Sequence, residues 1–412
     1  MTKKTGLNSE RVGRGNLSVV LNEVHTHGTA SRSELAARTG LYRQTIGSLV
    51  RQLERRGLVK EERVPSSGAL GRPSLLVRAQ AKSVSVLAID IEVDTVGLGL
   101  VGLGGRLLDA RRWPWNRRHV SPERAINKIA GAVAQFLAET DTTPIVAISA
   151  AIVGVVRQAD GLVRTAPDLG WFEVPLAEML SGSLGMNVPI HVGNEAYLGA
   201  LAEYLRGAAV GETDVLYLSG EVGIGGGVII GGTPLVGADG YAGEIGHMVV
   251  NVNGIRCHCG ALGCWGTEVG EGALFRRARR SLSRQRNIAE IIAQAKAGEP
   301  TAVQAIVSSG RWLGIGLASL VNVFNPRAVV LGGLHGRLYP LIEQVVLEEL
   351  EHRASAAARE HLSIRPGSLG VNAPLIGAGE VGLSAVLADP TCTWAQDVPE
   401  TAATNASKAG AV

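Results

Sequence analysis

The 412-residue sequence predicts an α/β protein led by a small winged helix-turn-helix unit. Three observations predict it. Before about residue 80, three short stretches carry apolar residues at helical spacing, followed by two β-rich runs around a Gly/Ser/Pro tip. Beyond residue 82, β-rich runs broken by glycine alternate with helical segments, and a strand-turn-strand opening recurs in the second half, so the body reads as a duplicated α/β unit. The charge divides at the same place: residues 1–80 hold 14 Lys+Arg against 6 Asp+Glu, and the remainder holds 26 against 31. A basic head on an acidic body points to a polyanion as the head's partner.

Taking the elements in order, "NLSVVLNEVHTHG" sets Leu17, Val20, Leu21 and Val24 on one helical face, with Gly28 as terminator. "SRSELAARTG" offers Ser31 or Ser33 as N-cap and Gly40 beyond the end. "LYRQTIGSLVRQLERRGLV" repeats the spacing with Ile46, Leu49, Val50 and Leu53. The outward face of this third helix carries Arg43, Gln44, Thr45, Ser48 and Arg51, which suit phosphates and base edges of double-stranded DNA. The wing tip holds Arg72 between Gly71 and Pro73, a shape and charge for a narrow minor groove. A three-helix dimerisation module is the alternative for these residues.

In the body, "SVLAIDIEVDTVGLGLVGLGGRLLDARR" reads as three strands, and "SPERAINKIAGAVAQFLAET" as a helix with Ser121 as N-cap and Pro122 at its first position. "PIVAISAAIVGVV" reads as one further strand, and "PIHVGNEAYLGALAEYLRG" passes from strand to helix at Asn194-Glu195. "DVLYLSGEVGIGGGVIIGGTPLVG" is two strands about a glycine-rich turn. "GRWLGIGLASLVNVFNPRAVVLGG" is a long helix, a proline break and a buried strand, and "APLIGAGEVGLSAVLAD" is the last helix. The expected organisation is a head over 1–80, a body over 82–388 and a disordered tail over 389–412. No run of about 18 uninterrupted apolar residues occurs, so no membrane partner is expected. The N-terminus lacks a signal peptide's apolar block, and the expected location is the cytoplasm, where structural disulfides are rare.

The motifs "VGIGGGVIIGGTPLVGADGYAGEIGH", "CHCGALGC", "GNEA" and "LGIGLASLVNVFNPRAVVLGG", behind a winged helix, resemble the ROK family of sugar kinases and sugar-responsive repressors. The resemblance covers about residues 16–388. It implies an actin/hexokinase-like (ribonuclease H-like) pair of lobes with a sugar cleft between them, and the family's repressors carry the winged helix.

Three of the chain's four cysteines fall at 257, 259 and 264, after His247. One imidazole and three thiolates suit tetrahedral Zn2+, and four protein ligands make such a site structural. The family's zinc motif matches His247, Cys257, Cys259 and Cys264. His258 is a minor alternative ligand, Cys392 in the tail is excluded, and three reduced buried thiols are the alternative.

The resemblance places sugar contacts at Asp168, Asn194, Glu195, Glu244 and His247. The family's general-base Asp is Glu195 here. A Glu that follows the last zinc cysteine in the family is Gly266, with Glu268 as an offset substitute. Kinases of this fold hold ATP phosphates in a turn resembling Asp-x-Gly-Gly-Thr; this chain has Asp90-Ile91-Glu92-Val93-Asp94. Two acids where an anion would lie repel by roughly 4 kcal/mol at about 4 Å and an effective dielectric of 20. The expected protein is a DNA-binding regulator without kinase activity, a homodimer or homotetramer responsive to a sugar or sugar phosphate. A sugar kinase with a fused head, and a regulator controlled by a protein partner, are the other readings.

Overall fold

In the computed structural model, residues 9–63, 75–114, 120–141, 143–280 and 287–392 are described. The head opens with α1 (Ser9–His27), whose Leu17, Val20, Leu21 and Val24 are all buried, as their spacing requires. After β1 (Thr29–Ser31), Ser31 caps α2 (Arg32–Thr39) through a reciprocal pair: its hydroxyl accepts from Glu34 N, and Glu34 Oε2 accepts from Ser31 N. Gly40 closes α2 in the left-handed conformation. α3 (Arg43–Arg55) buries Ile46, Leu49, Val50 and Leu53 in the same core. β2 (Val59–Arg63) and β3 (Leu75–Ala79) pair antiparallel as the wing, with β1 on the other edge of β3. The wing tip with Arg72 lies outside the described residues.

The first lobe is built on β4 (Ser85–Ile91), β5 (Thr95–Gly102) and β6 (Arg106–Pro114), an antiparallel meander. α4 (Pro122–Glu139) follows, capped by Ser121 as expected. The segment expected as one strand from 144 is two, β7 (Ile145–Ile152) and β8 (Val155–Arg157). Gly154, at φ 118°, breaks it, because a Cβ there would collide with Thr165 O. β8 pairs with β9 (Leu162–Ala166), which pairs with β10 (Trp171–Pro175), forming a flap. α5 (Leu176–Leu184) leads to β11 (Ile190–Asn194), and the lobe's sheet has the order β11-β7-β4-β5-β6.

α6 (Glu195–Arg206) crosses to the second lobe, which repeats the plan. β12 (Val215–Gly220), β13 (Ile224–Ile230) and β14 (Thr233–Pro234) form its meander. After the cysteine loop come α7 (Trp265–Val269), α8 (Glu271–Arg277), α9 (Ile288–Lys296) and α10 (Pro300–Phe324). β15 (Ala328–Gly332), α11 (Gly333–Arg353), α12 (Ala356–Arg359), β16 (Ser363–Pro366) and α13 (Ala373–Ala388) complete the fold. The order β14-β13-β12-β15-β16 mirrors the first sheet, a meander flanked by two parallel strands, so the duplication read from the sequence is present in the topology.

α4 and α5 cover one face of the first sheet; α10 and α11 cover one face of the second. α6 and α13 lie between the lobes. Gly225 and Gly227 let α6 press on β13, where a Cβ on either would run into Ala196 or Ala200. The glycine-rich strand therefore serves helix packing. α10 and residues 370–388 are long and apolar enough to cross a membrane, yet 56% and 67% of their most apolar stretches are buried within the fold. The head is not hung on a linker. Leu21, Val24 and Leu53 share one buried cluster with Val86, Leu103, Val146, Leu383 and Val386 of the body.

Candidate functional site

The cysteine loop folds back on itself through isolated antiparallel bridges between Val249 and Cys264 and between Arg256 and Leu262. Gly263, at φ 71°, lets the chain pass Asn251, whose carbonyl would overlap any Cβ there. The loop brings His247, Cys257, Cys259 and Cys264 together, with all four ligand atoms within 4.8 Å of one another. Cys259 Sγ lies 3.7 Å from Cys264 Sγ, and Cys257 Sγ lies 3.7 Å from His247 Nδ1. Two sulfurs bound at about 2.3 Å to one tetrahedral ion sit about 3.8 Å apart, so the four donors fit such an ion. His258 is outside the group; its Nδ1 is 3.2 Å from Asp168 Oδ1, on the turn between β9 and β10. This contact joins the first lobe to the cysteine loop. Cys392 is exposed.

His247 turns its other nitrogen, Nε2, toward Glu244 Oε2 at 3.8 Å, and both side chains are partly open to solvent. Burial raises the Glu244 pKa. Glu195 stands at the start of α6, where burial first, with Glu244, Asp90 and Glu92 adding to it, pushes its carboxyl up to about 8. Asn194 and Glu268 differ from expectation. Asn194 spends its whole hydrogen-bonding capacity internally: Oδ1 accepts from Ala196 N and Tyr197 N, and Nδ2 donates to Gly154 O and Glu195 Oε2. Glu268 is 8% exposed, with Oε1 accepting from Asn251 and Oε2 from Arg277. Both side chains are engaged by neighbouring residues of the fold. At Gly266 no atom lies closer than 3.4 Å to a would-be Cβ.

The first turn corrects the picture of two bare acids. Arg112, from β6, donates to Asp90 Oδ2 at 2.7 Å and to Thr95 Oγ1 at 3.2 Å, and lies 3.5 Å from Glu92 Oε1. It also donates to Val371 O, ahead of α13. Thr95 in turn donates to Glu92 Oε2, and Glu92 N to Thr95 O. A guanidinium neutralises much of the charge, so the repulsion of an anion is smaller than two free carboxylates imply. The turn is instead closed by its own side chains. Asp90 is fully buried; burial, then Glu92, raises its pKa, and Oδ1 has no partner.

On the head, Arg43, Gln44, Ser48 and Arg51 are exposed and Thr45 is half-buried, all on the face of α3 turned from the core. Tyr42, at the N-cap of α3, is 86% exposed.

The ROK family profile matches residues 86–382. The chain belongs to the ROK family. A MarR family profile matches residues 18–68, within the head. The xylose repressor of Bacillus subtilis (strain 168) is 30% identical over 373 residues, 90% of this chain and 95% of that protein. The crystal structure of a ROK family transcriptional regulator, a homologue of the E. coli MLC protein, has a TM-score of 0.75 at 23% identity, covering 92% of this chain and 97% of that one. A ROK family glucokinase from Streptomyces griseus, in complex with glucose and AMPPNP, has a TM-score of 0.64 at 28% identity, covering 72% and 98%. The regulator's likeness exceeds the kinase's by about a fifth of the chain, the size of the head. The ROK body has the two-lobed actin/hexokinase-like fold, behind an N-terminal helix-turn-helix.

Within this ROK chain, sequence reasoning missed Arg112, because its partners lie 17 to 22 residues away across a sheet and, at Val371, 259 residues on. It also missed Tyr42, although an aromatic directly before "RQTIGS" was a usable signal.

Proposed function

We propose that the chain is a transcriptional repressor whose operator affinity is set by a sugar or sugar phosphate held between the lobes. One observation carries this reading: a DNA-reading head shares a continuous core with the first lobe of a sugar-kinase-type body, so strain in that lobe reaches the head. Arg43, Gln44, Thr45, Ser48 and Arg51 would enter a major groove, with Arg72 at the neighbouring minor groove. A cytoplasmic homodimer, alone or paired into a tetramer, suits a palindromic operator.

Asp168, Glu195, Glu244 and His247 are the groups that offer hydrogen bonds to sugar hydroxyls, with Asn194 and Glu268 positioning them. His247, Cys257, Cys259 and Cys264 would hold a structural zinc ion, which supplies rigidity and, with four protein donors, offers no open coordination position. His247 then ties the sugar-facing Nε2 to the fixed loop.

Kinase chemistry is absent in this reading. A general base must lie within reach of its proton, and Glu195, one methylene longer than the family's Asp, is engaged by Asn194 Nδ2. The turn that would cradle phosphates is filled by Arg112. The test is a titration of operator duplex from the gene's own upstream region, with and without xylose, glucose, N-acetylglucosamine and their phosphates. Tight binding that one sugar changes by about tenfold or more supports the reading; indifference to every duplex contradicts it.

A further inference from the structure

α1, α6 and α13 meet at a point remote from the cleft. There Arg206, the last residue of α6, reaches three acceptors: Nε donates to Glu380 Oε1 at 2.6 Å, and Nη1 donates to His25 O at 2.8 Å and Thr26 O at 2.9 Å. Glu380, on α13, has its other oxygen 2.7 Å from His25 Nε2. Gly104 N donates to His25 Nδ1 at 2.9 Å, so Nδ1 carries the lone pair and Nε2 the proton. The two contacts fix the orientation of the His25 ring. His25 and Glu380 are 3% and 6% exposed. Gly105 must be glycine, since a Cβ there would strike both Arg206 and Glu380.

The two ends of α6 belong to different tasks. Its first residue, Glu195, faces the cleft, and its N-cap is Asn194. Its last turn holds the end of α1, which belongs to the head. In between, α6 rides on the second lobe, where Ala196 and Ala200 press on Gly225 and Gly227, whereas the head shares its core with the first lobe. α6 passes α13 closely at Leu198, whose carbonyl leaves no room for a Cβ on Gly377. That crossing lies three residues from Glu195 and eight from Arg206, about 4.5 Å and about 12 Å along the helix. Arg206 therefore lies farther from that contact than Glu195 does. Beside the joint a cavity of about 480 Å³, lined by Asn22, Leu201, Leu205 and Leu387 among others, leaves α1 space to reseat.

We propose that Arg206 is the positioning residue that transmits ligand-driven movement of α6 to the DNA-reading head. The inference rests on the reading that a cleft ligand controls operator binding. Arg206 touches neither ligand nor DNA in this scheme. A merely structural role would move folding stability or both affinities together; a transmitting role moves only their coupling.

The test uses the full chain carrying Arg206→Met and, as the milder change, Arg206→Lys, which keeps a charge but replaces the planar fork with a compact ammonium. Sugar affinity is read by calorimetry, operator affinity by anisotropy with and without sugar, and protection of residues 17–27 by amide hydrogen exchange. Expected is unchanged sugar affinity, retained operator binding, a ligand effect on operator affinity that falls toward one, and roughly tenfold faster exchange at the end of α1. A wild-type-sized ligand effect in both variants overturns the proposal. Failure of the functional reading looks different: the wild type itself shows no sugar or no operator binding. The transmission proposal then falls with that reading; in a ligand-responsive chain, unchanged protection of α1 in both variants overturns it as well.

Discussion

His335 opens α11 and is 1% exposed. Its Nε2–H donates to Val269 O at 3.2 Å, leaving Nδ1 without a partner and packed against Gly220. Burial pulls its pKa from 6.5 to about 4. The unfolded chain takes up this proton near 6.5 and the folded chain only near 4, so between those values the unfolded state binds more protons and stability rises with pH. The group costs nothing above about pH 6.5 and on the order of 3 kcal/mol once pH falls through about 4. Denaturant titrations at about pH 7 and about pH 4.5 measure the slope, and His335→Gln is expected to flatten it by close to one proton. A residue's legibility follows the same logic of distance. The ligand set of the cysteine loop could be read because three of its donors fall within eight positions and chemistry fixes their number. His25, Arg206 and Glu380 could not, because their contacts span 79 to 355 residues. The hydrogen bonds of Asn194 and Glu268 go to neighbours that no spacing announces.

At the scale of elements, α3 and the cysteine loop carry the predictions. Replacing Arg43 or Arg51 with Ala is expected to weaken operator binding by about 1–3 kcal/mol where the side chain reads a base, and to lower the salt slope by about one where it meets a phosphate. Anisotropy titrations over a salt series distinguish the two, and unchanged affinity and slope in both variants would remove α3 from the interface. For the loop, elemental analysis is expected to find one zinc per chain. Cys259→Ser is expected to lose it and to lower sugar affinity with it, because His247 is then no longer held. Well under one zinc in the wild type would contradict the assignment. Most elements were legible because their signals are local: the α1 stripe, the Ser31 and Ser121 caps, and the Gly40 terminator all sit where the spacing put them. The flap of β8 to β10 was not, since an apolar run through Ile152 to Val156 looks continuous until Gly154 turns it.

For the whole molecule, the sequence showed two α/β halves, and the matching strand orders of the two sheets bear that out. It could not show that the head is fused to the first lobe through a common core, since Leu21 and Leu383 meet only in three dimensions. In the proposed reading that fusion couples the lobes to the head: the head shares its core with the first lobe, and α6, packed on the second, holds the end of α1 through Arg206. A ligand that prefers one arrangement of the lobes shifts the population of head positions by its differential affinity and no more. The most direct test is operator affinity of the purified chain, measured at fixed salt with and without saturating sugar. The account predicts tight binding to its own upstream duplex and a change of about tenfold or more with one sugar of the panel. Equal affinity for every duplex, with and without every sugar, would contradict it.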